Sequence, residues 1–172
     1  MAIDKLKGLP KETLLGMLED FAKNWLAHDG LWFQAVEKED DMKTAIKLDT
    51  EAWETFTKIE AKRIMARHNI PENGGLEALK KALGFRLYAV LNEQEITEET
   101  PNSFVFKMVD CRVQSARKRK NLPPFPCKSV GIVEYTEFAR TIDPRIKTEC
   151  IACPPDPQER DFYCGWKFSM EE

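Results

Sequence analysis

The hydrophobic period of this chain changes near residue 92, and that change restricts the folds open to it. Before it, apolar residues return every three or four positions, as one face of a helix requires. Beyond it they alternate, as half-buried strands do. Pro10 stands at a first-turn position, and Leu14, Leu15, Met17, Leu18, Phe21, Trp25 and Leu26 follow at helical spacing. His28-Asp29-Gly30 predicts a helix stop and cap, with a second short helix over Leu31, Trp32, Phe33 and Val36. Residues 41–67 predict one long helix, and the Asn69 to Gly75 segment ends it. His68 then reads as a C-terminal residue favoured by the helix dipole. A fourth helix is expected over 76–91, with Leu79, Leu83, Leu87 and Leu91 as its stripe.

In the second half, residues 95–98 and 103–113 flank Thr100-Pro101-Asn102 and predict a β-hairpin. Phe104, Phe106, Met108, Asp110 and Arg112 would share one face, and Val105, Lys107, Val109 and Cys111 the other. Leu122 to Phe125 and Pro126 form a stiff connector. Lys128 to Ile142 reads as an amphipathic helix, and 145–152 and 161–170 as strands. The expected fold is α+β, with N-terminal helices packed on an antiparallel sheet that carries one further helix. A helical half, 1–92, and a cysteine-rich α+β half, 93–172, would form one compact unit.

A net charge of -3 gives no reason to expect nucleic acid or an anionic membrane as a partner. The basic run Arg117 to Lys120 reads as a solvated loop or helix end. The first residues lack the apolar centre of a signal peptide, and nothing approaches the ~18 apolar residues of a membrane span. A cytoplasmic protein is therefore expected, with reduced thiols. Its five cysteines, an odd number, argue against a disulfide framework.

Cys150 and Cys153 form a C-x2-C pair; Cys164 follows, and Cys127 precedes the predicted helix. Four thiolates are what a closed tetrahedral zinc site takes. Cysteines i and i+3 on a regular strand face opposite ways, so a bend at Ile151-Ala152 would be needed. An iron–sulfur cluster uses the same ligand set, and small buried thiols are the plainer reading. A redox couple normally opens a helix, which Pro154-Pro155 forbids.

The stretch from Cys127-Lys-Ser-Val-Gly131 through Cys150-Ile-Ala-Cys153 to Tyr163-Cys164-Gly-Trp-Lys-Phe168 resembles the core of 4-vinyl-reductase-type small-molecule-binding domains. These include the sensor domains of phenol-responsive transcriptional activators. The resemblance covers roughly residues 93–170. It implies a zinc site made by Cys127, Cys150, Cys153 and Cys164, with a cysteine at Cys150 where the family usually has an acidic residue and Glu149 as its substitute. It also implies an enclosed pocket for a small apolar or aromatic ligand, and a homodimer. The whole chain is similar to uncharacterised proteins related to the 2-amino-thiazoline-4-carboxylic acid hydrolase family, through His28 to Phe33, Met108 to Arg112 and the cysteine-rich end. That likeness implies C–N or C–S hydrolysis of a small heterocycle.

For a hydrolase, Cys111 would be the nucleophile, with Arg112 or His28 lowering its pKa and His28-Asp29 as acid–base candidates. Core packing explains Cys111 better than that role does, and a helix stop does the same for His28-Asp29-Gly30. Trp25, Trp32, Trp53 and Phe56, with Phe33, could line an apolar pocket. Asp49 and Glu60 share the long helix's face with Trp53 and Phe56 and could orient a polar ligand there. An aromatic core with both acids at its edge is the alternative.

Overall fold

The computed structural model describes residues 2–157 and 160–171. A 3-10 turn, Ala2–Leu6, leads into α1 (Lys11–Glu39). Helix α1 runs straight through His28-Asp29-Gly30, where the sequence predicted a stop. One glycine costs a helix only about 1 kcal/mol, less than the packing of Leu26 and Phe33 on either side contributes. Helix α2 (Met42–His68) starts at Asp41, whose carboxylate accepts the Thr44 N–H at 2.6 Å, and ends at Asn69, left-handed at φ 50°. It matches the expected long helix.

The expected fourth helix is two: α3 (Gly75–Leu83) and α4 (Leu87–Leu91). Arg86, extended at φ -68°, ψ 154°, breaks the run and turns its side chain into the core. Strands β1 (Glu93–Thr100) and β2 (Ser103–Asp110) form the predicted hairpin. The second arm ends earlier than its alternation suggested, because Cys111 opens α5 (Arg112–Arg119), with the basic run at its end. Helix α6 (Lys128–Ile142) and strands β3 (Lys147–Ala152) and β4 (Cys164–Ser169) complete the chain.

The antiparallel sheet has the order β1-β2-β4-β3. Register pairs Phe104 with Phe168, Phe106 with Trp166 and Met108 with Cys164. Paired residues share a face, so one side of the sheet is a continuous apolar surface. Helix α6 lies on it through Tyr135, which stacks on Trp166 with ring centroids 4.7 Å apart. Gly131 makes that approach possible: a Cβ there would meet the Trp166 ring at 2.7 Å. Helices α2 and α3 close over α6 through Ala61, Ile64, Leu79 and Leu83, in the same core cluster. The fold is α+β, as the change of period predicts. Among the described residues no helix is long and apolar enough to cross a membrane.

Candidate functional site

Where α1, α2, α4, α5 and α6 meet the sheet, they leave a cavity of about 380 Å³. Trp53, Tyr88, Tyr135, Trp166 and Phe33 give it aromatic walls, with Met108 and Val130 between them. A volume of this size and lining is what a small organic ligand occupies.

Three carboxylates line the same cavity: Asp29 from α1, Asp49 from α2 and Glu134 from α6. Burial raises the Asp29 carboxyl, with His28 opposing weakly. Burial, then the charges of Asp29 and Glu134, push Asp49 up to about 7, while a hydrogen bond from the Trp53 indole opposes the rise. Glu134 is raised by burial, against the pull of Arg86. Arg86 itself is buried between two acids: Nε donates to Glu60 Oε2 at 2.9 Å, and Nη2 lies 2.7 Å from Glu134 Oε1. Burial works against its charge, but Glu134 and Glu60 outweigh it and hold the guanidinium above its ordinary pKa. The Phe138 ring lies 4.7 Å from the guanidinium carbon.

Cys111, Cys127, Cys153 and Cys164 line the same cavity. Cys127 Sγ and Cys153 Sγ are 3.6 Å apart, and Gln114 Nε2 donates to Cys127 Sγ at 3.6 Å. The Cys153 contact, followed by that of Gln114, lowers the Cys127 pKa against burial. Hydrogen bonding to Cys127 and then Cys164 raises that of Cys153. Asp156 holds the Cys153 turn in place: it accepts the Cys153 N–H at 3.1 Å, and both its oxygens accept from Lys128 Nζ at 2.9 Å.

The expected zinc site of Cys127, Cys150, Cys153 and Cys164 does not form. Among the described residues, no group of three or more His, Cys, Asp or Glu side chains is arranged to hold a metal ion. The same finding removes Glu149 as substitute ligand for a zinc ion. The strand explains part of this. Cys150 stays on β3 opposite Trp166, before the register irregularity that separates it from Ala152. The other thiols satisfy one another by hydrogen bonding.

Of the pocket candidates, Trp53 and Asp49 line the cavity and Trp25, Trp32, Phe56 and Glu60 do not. Trp25 stacks on Phe56 at 5.4 Å outside it, Trp32 is 71% exposed on α1, and Glu60 is committed to Arg86. Of the hydrolase candidates, Asp29 and Cys111 reach the cavity; His28 is exposed. Burial pushes the Cys111 thiol up to about 12, so it is not a thiolate near neutral pH.

Sequence reasoning missed Glu134, Arg86, Tyr88 and Gln114. Two of them left a signal. Glu134 stands inside the stripe Val130, Tyr135, Phe138 of α6, where an acid needs a partner. Arg86 is the single cation within residues 82–91, the apolar run that joins α3 to α4.

A family model described as "Family of unknown function (DUF6125)" matches residues 7–170. The chain belongs to that family. No curated protein matches this DUF6125 chain. The match takes in every element that lines the cavity, from α1 to β4.

Proposed function

We propose that this DUF6125 protein binds a small, largely apolar or aromatic molecule in the cavity between α1, α6 and the sheet, in the cytoplasm. The observation that carries the reading is the cavity: about 380 Å³ with aromatic walls and a few convergent polar groups. The resemblance of the C-terminal half to small-molecule-binding sensor domains supports it. The hydrolase reading gains nothing from Cys111, whose buried thiol is poorly suited to attack.

The test is a fragment screen by ligand-observed NMR, followed by titration of hits against the wild-type protein and Ala116→Phe. Ala116 lines the cavity from α5, and a phenyl group there would occupy ligand space. Aromatic fragments should bind the wild type at micromolar to millimolar Kd and lose at least tenfold in the variant. A screen without hits, or hits indifferent to the plug, would overturn the reading.

We also propose that the protein associates with a second copy of itself through α1. Leu18, Phe21 and Trp32 are 60%, 61% and 71% exposed on one side of that helix. With Leu14, Trp25 and His28 they recur at spacings of four and three, the repeat by which two identical helices interlock. Sedimentation equilibrium should give about twice the 19.9 kDa chain mass, and Phe21→Lys with Trp32→Lys should return a folded monomer. A wild-type monomer at high micromolar concentration would remove this proposal.

A further inference from the structure

The cavity is polarised in a way that an apolar ligand alone would not use. Asp29 and Asp49 come from separate helices into the same aromatic-lined space. Each is raised by burial, and Asp49 feels the charges of Asp29 and Glu134. Neither has an ion pair among the described residues: His28 opposes the rise of Asp29 through its charge alone, and Asp49 is met by the Trp53 indole, a neutral donor. Buried Arg86 is committed to Glu60 and Glu134. Among the basic residues of the cavity wall, Lys23 pairs with Glu19 at 2.7 Å, Arg117 with Glu37 at 2.7 Å, and Lys120 donates to Gln34 at 2.9 Å. Arg112 and Arg119 remain, both on α5.

A second feature points to a ligand independently. Trp166 is 1% exposed and forms part of the cavity wall, yet its indole N–H has no acceptor among the described residues. Its benzo edge lies against Gly131, itself a wall residue, and its face on Tyr135. A buried donor without a partner costs free energy that a ligand acceptor would recover. Two buried carboxylates without an ion pair, an orphaned donor and aromatic walls together describe the ligand that would fit.

We infer that the ligand is a small aromatic amine, carrying a protonated nitrogen for Asp29 and Asp49 and a hydrogen-bond acceptor for the Trp166 N–H. This inference rests on the proposal that the cavity binds a small molecule, and it names the class. The ammonium would replace the charge repulsion between the two acids with two ion pairs in a partly dehydrated site. The aromatic walls would keep the site dry and so strengthen both ion pairs. The ring would fill the space between Phe33 and Trp166.

Three probes of one shape separate the outcomes: tyramine, 4-ethylphenol and 3-(4-hydroxyphenyl)propanoate, each titrated calorimetrically at pH 7.5. Tyramine should bind at least tenfold more tightly than either of the others. Asp49→Asn and Asp29→Asn should each weaken tyramine about tenfold while leaving 4-ethylphenol within twofold. Equal binding of the neutral phenol, or tighter binding of the carboxylate at Arg112 and Arg119, would overturn the amine assignment and leave the small-molecule reading standing. No binding of any probe up to millimolar concentration would overturn both.

Discussion

Arg86→Met should destabilise the protein by about 3–5 kcal/mol, enough to leave a domain of this size unfolded or nearly so. The guanidinium is 2% exposed and holds two buried carboxylates, Glu60 and Glu134, together with the packing of α4 on α2 and α6. Methionine fills a similar volume, so the loss would come from electrostatics rather than from a cavity. Two acids would be left dehydrated, and each would have to take up a proton to remain inside. The triple variant Arg86→Met, Glu60→Gln, Glu134→Gln separates this account from a packing defect. Removing the uncompensated charges with the cation should recover at least half of the lost stability, measured by urea unfolding. If the triple variant is no more stable than Arg86→Met alone, charge burial is not what Arg86 answers.

The same arginine shows why part of the fold could be read from the sequence and part could not. Helix α6 follows from its amphipathic stripe, and the β1–β2 hairpin from alternation around Thr100-Pro101-Asn102. Both are set by local periodicity. The division of α3 from α4 is not. Leu79, Leu83, Leu87 and Leu91 keep a helical stripe across Gly84-Phe85-Arg86, and the break exists because Arg86 must reach Glu60, 26 residues earlier. The continuity of α1 through Gly30 is likewise decided by contacts elsewhere, with Gly30 facing the cavity. At the site, Asp49 and Trp53 were legible as an acid one helical turn from an aromatic residue. Trp32 was misplaced because the sequence suggested a new helix at Leu31, which would have aimed it differently. The cysteines were read by spacing, whereas their arrangement depends on β3 holding Cys150 in register with Trp166.

Asp49→Asn should stabilise the protein at pH 8 and leave it unchanged at pH 3.5. The Asp49 carboxyl is held at about 7 in the folded protein, against an ordinary value of 3.8. Between those two pH values the unfolded chain gives up this proton and the folded chain keeps it, so stability falls as pH rises through the window. Below 3.8 both states are protonated and the carboxyl exacts nothing; above about 7 the full penalty applies. A separation of about three pH units corresponds to at most about 4 kcal/mol, and screening at a half-buried site reduces it to about 1–3 kcal/mol. The groups that set it are Asp29 on α1, the Trp53 indole on α2 and Glu134 on α6, with half-buried Tyr88 of α4 on the same cavity wall. Asparagine keeps the shape and cannot ionise. Its unfolding free energy should therefore exceed that of the wild type by the stated amount at pH 8, and the difference should shrink towards zero as the pH is lowered to 3.5. If Asp49→Asn is less stable at pH 8, the carboxylate is already answered by something within the fold. If it is more stable and also binds tyramine less tightly, then an unpaired acid that weakens the empty protein is the group that holds the ligand, the trade expected of a binding residue.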